Sequence, residues 1–146
     1  MTTQNLQDMI DDFAFLDNWE SRYMHVIDLG KNMAPLSPGD KIPENKVKGC
    51  ASQVWLVTRR EGETLTFRGD SDAHIVKGLV AIVLTIYSGQ TARKITDTDA
   101  EPILSRLGLL EHLSSQRSNG LRAMIARIKA EAEAVSAWPA CREPLP

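Results

Sequence analysis

Residues 53–87 read QVWLVTRREGETLTFRGDSDAHIVKGLVAIVLTIY, and the spacing of their apolar residues changes partway along. Residues 53–60 and 63–68 alternate and are rich in Val, Trp, Thr and Phe, which predicts two β-strands. Glu61-Gly62 between them predicts a hairpin turn. Beyond residue 71 the apolar residues recur at three- and four-residue spacing, which predicts a helix.

This helix is expected to be the buried centre of the domain. Ser71 or Asp72 is suited to cap its N-terminus, and Ser88-Gly89 ends the pattern. Its apolar residues cover most of the circumference instead of a single stripe, so each side of the helix needs a packing partner. They are Ile75, Val76, Leu79, Val80, Ile82, Val83, Ile86 and Tyr87.

The N-terminal region predicts two further helices and a loop. Apolar residues recur at helical spacing between residues 6 and 13. Asp17 is expected to cap the second helix, because Glu20 three residues later completes a capping box, and Gly30 is expected to end that helix. Residues 31–50 contain three prolines and two glycines, which predicts a long loop ending in a cysteine.

After the central helix the chain is predicted to be mainly helical. Residues 94–96 are expected to add an edge strand to the sheet. Asp99 is the predicted cap of a short helix, and Ser114 or Ser115 is the predicted cap of a long last helix. Residues 138–146, which begin with Trp-Pro, are expected to form a mobile C-terminal tail.

Together these elements predict an α+β fold. A small antiparallel sheet from the middle of the chain is packed by N-terminal, central and C-terminal helices. The total length of 146 residues is that of one domain, which we place at residues 1–137.

The composition excludes several classes of protein. Hydrophobic residues make up 42% of the chain and charged residues 25%, which is typical of a globular domain. The net charge of −2 argues against nucleic acid as the partner, and the longest apolar stretch is far shorter than the roughly 20 residues of a membrane helix. The first twelve residues have no pattern of a secretory signal. We therefore expect a cytoplasmic protein.

Cysteine and histidine usage argues against a disulfide framework and a metal centre. Cys50 and Cys141 are the two cysteines, and a reducing compartment would keep both as free thiols. Two cysteines and three scattered histidines do not fit the close spacing of a zinc site, so no metal is expected.

Cys50 is the residue best placed to carry chemistry. It lies between the loop and the first strand, beside Gly49, which lets a partner's backbone approach closely. Lys46 and Lys48 would favour its thiolate if their side chains point toward the sulfur. A free cysteine is also often only a small buried apolar residue. The absence of a nearby second cysteine excludes a dithiol oxidoreductase, which leaves a lone nucleophile or a group carrier.

Several segments resemble the SufE family of sulfur acceptors. The resemblance begins with VKGCASQVW at residues 47–55 and extends in order from about residue 6 to residue 135. The other segments are DFA at 12–14, LG at 29–30, GDSDA at 69–73, IVKGL at 75–79 and LSSQRSNGL at 113–121. The residues of the C-terminal tail, with Cys141, lie outside it.

The resemblance implies a persulfide relay and a SufE/IscU-like fold. Members of this family accept sulfur from a cysteine desulfurase of the SufS/CsdA type, stimulate that enzyme and supply an iron–sulfur scaffold such as SufBCD. The pyridoxal phosphate belongs to the desulfurase, so no bound cofactor is implied for this chain. Cys50 matches the acceptor cysteine. The chain would then be a carrier and activator and not itself an enzyme, a monomer or a weak homodimer.

Asp72 and Arg117 match family positions that make polar contacts close to the cysteine loop. Arg117 would also supply a fixed cation that stabilises a thiolate or persulfide anion. Each residue also has a plain structural interpretation. Asp72 is a natural N-cap, and Arg117 could lie in the first turn of the last helix, paired with an acid.

Two other functions stay open at the level of sequence. Cys50 and His74 could form a stand-alone cysteine hydrolase or transferase, although Asp72 would not orient His74 on a helix because residues two apart diverge by about 200°. The chain could also be a binding module in which Cys50 only packs. For the relay we further predict that Cys50 is partly shielded and that its loop opens when a partner docks.

Overall fold

The computed structural model describes residues 2–50 and 52–137. Over these residues seven helices surround a three-stranded antiparallel sheet of strand order β1-β2-β3. The strands are β1 (Val54–Glu61), β2 (Thr64–Ser71) and β3 (Gln90–Thr91). The helices are α1 (Thr2–Ala14), α2 (Trp19–Asn32), α3 (His74–Tyr87), α4 (Ala92–Asp97), α5 (Ala100–Arg106), α6 (Leu109–His112) and α7 (Ser115–Ala137). The predicted α+β fold, with its sheet from the middle of the chain, is confirmed.

The hairpin forms where the alternating pattern places it. Its register runs from Val54 opposite Ser71 to Glu61 opposite Thr64. Gly62 has a positive φ of 66°, a backbone conformation that glycine adopts without steric cost. The second strand continues to Ser71, beyond its predicted end, because the antiparallel ladder with β1 extends to that residue.

Helix α3 is the predicted central helix. Eight of its residues are buried, and it packs against α1, α2, α7 and β2. Glycines allow the close crossing with α2: a Cβ added to Gly78 would overlap the carbonyl oxygen of Val26, and one added to Gly30 would lie 2.7 Å from the Gly78 nitrogen. Gly30 therefore does not end α2 as predicted. The helix continues to Asn32, and the glycine serves the contact with α3.

Two predicted helix caps are wrong. Asn18, not Asp17, caps α2, because the Asn18 side chain accepts a hydrogen bond of 2.8 Å from the Ser21 amide. Both residue types are good caps, so the path of the preceding turn decides between them. Neither Ser71 nor Asp72 is the N-cap of α3. That position is Ala73, which offers no side-chain acceptor.

The predicted edge strand at residues 94–96 is also wrong, because these residues lie in α4. The Thr91 side chain accepts a hydrogen bond from the Lys94 amide and caps this helix, and Ile95 is fully buried on it. The third strand is instead the short β3.

The two predicted caps in the C-terminal part of the chain agree with the structure. Asp99 caps α5 through the Glu101 amide, and the Ser114 hydroxyl accepts a hydrogen bond from the Arg117 amide at the start of α7. The predicted mobile tail and Cys141 lie outside the described residues. None of the helices in residues 2–50 and 52–137 has both the length and the apolar character needed to cross a bilayer.

Candidate functional site

Cys50 ends the segment that joins α2 to the sheet. We call residues 33–50 the cysteine loop. It contains two short 3-10 turns, Pro38–Asp40 and Pro43–Asn45, and Gly49 has a positive φ of 91° just before the cysteine. The Cys50 side chain is partly buried, which agrees with the predicted shielding.

The thiol of Cys50 rests against the first part of α7. Its Sγ lies 3.5 Å from the Gly120 carbonyl oxygen, to which the S–H donates. A Cβ added to Gly120 would lie 3.6 Å from the same sulfur, an ordinary van der Waals distance, so the sulfur packs directly against this turn of the helix.

A cavity of about 200 Å³ opens beside the sulfur. A water molecule occupies about 30 Å³ in the liquid, so this space admits additional atoms on Cys50. Its lining is apolar on the side of α3 and along α7, and polar at its rim. Apart from the cysteine the lining residues are Ser52, Val76, Leu79, Gln116, Arg117, Gly120, Leu121 and Met124.

Burial raises the pKa of the Cys50 thiol above its ordinary value. The expectation that Lys46 and Lys48 favour the thiolate is not met, because both lysines are exposed and the pKa moves in the opposite direction. A raised pKa favours the protonated thiol, which is consistent with its donation to the Gly120 carbonyl.

Asp70 anchors the first half of the cysteine loop. Its buried carboxylate accepts hydrogen bonds from the amides of Leu36 (3.1 Å) and Ser71 (2.8 Å). It also forms ion pairs with Lys41 of the loop at 3.4 Å and Lys77 of α3 at 3.3 Å. Burial acts to raise the pKa of Asp70, but the two amides and the Lys77 ammonium outweigh it and lower the pKa.

Asp70 is not among the site residues predicted from the sequence. Its local sequence gives no clear signal, because β2 alternates Leu65 and Phe67 with the polar residues Thr64, Thr66 and Arg68, so an acidic residue in this strand is also expected on the face exposed to water. The partners come from the loop and from α3, so they are not visible as a local pattern.

Asp72 anchors the segment that follows Cys50. Its Oδ1 accepts a hydrogen bond of 3.1 Å from the Gln53 amide, and its Oδ2 accepts one of 3.2 Å from the Gln53 side chain. The carboxylate thus binds β1 at its start instead of capping α3. The side chain is exposed and is not among those that line the cavity.

Arg117 lines the rim of the Cys50 cavity from the first turn of α7. The interpretation in which it pairs with an acid is not supported within the described part of the chain, where no carboxylate lies within 4.0 Å of its guanidinium. The structure therefore brings Cys50 and Arg117 to the same cavity, whereas Asp72 is not part of its lining.

The structure does not pair Cys50 with His74. The imidazole lies at the exposed first residue of α3 and does not line the cavity, and the thiol is hydrogen-bonded to Gly120. Within residues 2–50 and 52–137, no three His, Cys, Asp or Glu side chains gather closely enough to bind a metal ion.

Comparison with known proteins agrees with the resemblance. Residues 7–132 match the family described as "SufE: Fe-S metabolism associated domain". The chain is 61% identical over 133 residues to an uncharacterized SufE-like protein of Rhizobium meliloti, with 88% of this chain and 95% of that protein covered. It is 58% identical over 133 residues to an uncharacterized SufE-like protein of Rhizobium etli, with 88% and 90% covered.

A solved structure shares the fold. It is the solution structure of a hypothetical protein from Thermus thermophilus, which matches with a TM-score of 0.72 over 90% of this chain and 96% of that one, at 19% identity. At that identity the likeness bears on the fold alone. With most of its length matched by the family model and by two close relatives, the chain belongs to the SufE family of domains associated with Fe–S metabolism.

Proposed function

We propose that this protein is a sulfur acceptor and carrier that takes persulfide sulfur on Cys50 from a cysteine desulfurase of the SufS/CsdA type. It stimulates that enzyme and delivers the sulfur to an iron–sulfur scaffold such as SufBCD in the cytoplasm. The observation that carries the proposal is the single thiol at the end of an anchored loop, beside a cavity that can take additional atoms. Membership of the SufE family supports it.

The transfer is an exchange at sulfur. The Cys50 thiolate attacks the outer sulfur of the desulfurase persulfide, and a new S–S bond forms as the original one breaks. The desulfurase cysteine leaves as a thiolate, and the outer sulfur keeps its proton. The nucleophile in such an exchange must be a thiolate with a clear line of approach. Docking must therefore both uncover Cys50 and lower its raised pKa.

Arg117 is suited to lowering the pKa of Cys50 on docking. A guanidinium at the rim of the cavity stabilises the anionic form of a nearby sulfur, and no carboxylate in the described ion pairs competes for it. Asp72 is suited to a positioning role, because it holds Gln53 three residues after the cysteine. We assign both residues to the surroundings of the cysteine and not to the exchange itself.

Intact mass spectrometry tests the proposal. Incubation with the desulfurase and L-cysteine should add one sulfur atom to the Cys141→Ser protein, and a reductant should remove it. Cys50→Ser in the same background should show no adduct. Arg117→Gln should reach the same adduct more slowly, and Asp72→Asn should slow it less. An unmodified mass in the Cys141→Ser protein, or an adduct that survives Cys50→Ser, would contradict the proposal.

A further inference from the structure

A second anchor holds the part of the cysteine loop nearest the thiol. Asp70 binds the loop at Leu36 and Lys41, well before Cys50. The later part of the loop instead contacts α7, where Arg127 reaches two of its backbone carbonyls. These two anchors use different elements and share no residue.

The guanidinium of Arg127 uses all three of its nitrogens. One terminal nitrogen donates to the Lys46 carbonyl at 3.2 Å, and the other donates to the Glu44 carbonyl at 3.1 Å. The Nε donates to Glu131 at 2.7 Å, one helical turn further along α7. Because the guanidinium is a rigid planar fork, the bond to Glu131 sets the direction of the two donors that face the loop.

The bound carbonyls lie just before the thiol in the chain. Only Val47, Lys48 and Gly49 separate Lys46 from Cys50, and Val47 is held by a hydrogen bond from its amide to the Val54 carbonyl. A Cβ added to Gly49 would lie 3.4 Å from the Cβ of Ala123, so this end of the loop also lies against α7. Fixing the loop at residues 44–46 thus keeps the sulfur on Gly120.

The Arg127 contacts are polar and partly exposed, with 27% of its side chain accessible. Water can replace such hydrogen bonds at small net cost, whereas it offers no substitute for the packing of apolar side chains. Loss of the Arg127 contacts therefore requires no unfolding of the core: Val47 stays buried and bonded to Val54, and the exposed residues on either side of it are free to move away from α7.

We infer that Arg127, oriented by Glu131, is a positioning residue that holds the cysteine loop closed over the Cys50 thiol in the free protein. The biological meaning of this closure rests on the proposed function. The closure itself does not, because access to the thiol can be measured without a desulfurase.

Alkylation of Cys50 by iodoacetamide in the Cys141→Ser background tests the inference. If the reagent reacts only with the open loop, its rate follows the open population. Arg127→Ala should raise the rate about tenfold, as loss of a net hydrogen-bond contribution of this kind predicts. Arg127→Lys should give an intermediate rate, because the ammonium retains the charge and donors without the planar fork. Glu131→Gln should raise the rate less than Arg127→Ala.

Arg122→Ala is the matched control. Arg122 lies on the same helix and pairs with Glu101 at 3.2 Å, away from the loop. Its substitution should leave the alkylation rate unchanged. Equal rates in Arg127→Ala and the parent protein, or an equal rise in Arg122→Ala, would overturn the inference.

Hydrogen exchange separates opening of the loop from general loss of structure. The amides of Asn45 and Lys46, bonded within the second 3-10 turn, should exchange faster in Arg127→Ala, while those of β1 should keep their protection. A parallel loss of protection in β1 would show that Arg127 supports the whole domain, and it would overturn the assignment. A protein that passes these tests but acquires no sulfur from a desulfurase would contradict the proposed function alone.

Discussion

The cysteine loop and α3 meet at Asp70, yet they are held in place by opposite kinds of interaction. Eight residues of α3 are buried, and its crossing with α2 leaves no room for a side chain at Gly78. In the loop only Leu36 and Val47 are buried, and the other anchors are polar: contacts with Asp70 and Arg127, a backbone hydrogen bond from Val47 to β1, and the Arg68–Asp40 ion pair. Polar anchors can be exchanged for water or for a partner, so the loop can open while the core remains folded.

The largest loss of stability is expected from a substitution in the tightly packed contact between α2 and α3. Gly78→Ala should destabilise the domain by at least about 3 kcal/mol, because the added methyl overlaps the Val26 carbonyl and forces α2 and α3 apart. Urea unfolding followed by circular dichroism measures the change.

Gly39→Ala is the control for that measurement. Gly39 lies in the loop, and a Cβ added there would meet only the Ser37 hydroxyl at 3.9 Å. The free energy of unfolding should change by less than about 0.5 kcal/mol. Similar losses in Gly39→Ala and Gly78→Ala would show that the loop is packed as tightly as the core, and the comparison would fail.

The next largest loss of stability is expected at Asp70, where the cysteine loop meets α3. Asp70→Asn should cost about 3 kcal/mol of unfolding free energy, because the buried carboxylate is replaced by a neutral group facing Lys41 and Lys77. Asp40→Asn is the matched control. Its ion pair with Arg68 has the same 3.3 Å distance as Asp70–Lys77 but is more exposed, so the loss should stay below about 1 kcal/mol.

The Asp70 contribution should also depend on pH. The pKa of Asp70 is lower in the folded protein than its ordinary value of 3.8, so its stabilisation is fully present above that value and is lost as the pH falls through the lowered folded pKa. Parent and Asp70→Asn proteins should therefore differ most at neutral pH and converge in strong acid. Urea midpoints that differ by the same amount at pH 7 and pH 2 would contradict this account.

The smallest expected effect is a shift in the pH dependence of Cys50 alkylation. Because burial raises the pKa of Cys50, its alkylation rate in the Cys141→Ser protein should reach half its maximum above 9.0, the ordinary value for a cysteine. Addition of the desulfurase should shift the midpoint downward if docking exposes the sulfur. A midpoint below 9.0 in the free protein would mean that the loop does not shield the thiol.

Local patterns in the chain were sufficient for much of the fold. The alternating residues of the hairpin, the apolar circumference of α3 and the caps Asp99 and Ser114 all lie where the sequence predicts them. Each of these features depends on contacts between residues close in sequence or on the period of the apolar residues. Both can be recognised without a structure. The helix at residues 92–97 was missed because burial of Ile95 overrides the local strand preference.

For the candidate site, the chain alone marked Cys50, through its position after a glycine-containing loop and its motif. The family resemblance also indicated Arg117, which lines the Cys50 cavity, but the anchors of the cysteine loop came only from tertiary structure. Arg127 lies 81 residues from the Lys46 carbonyl that it binds, and Asp70 lies 34 residues from Leu36. A charged residue in a helix or strand has the same local appearance whether it faces water or a backbone carbonyl. Its partner, and with it the control of access to the sulfur, is set only when the helices and the sheet pack together.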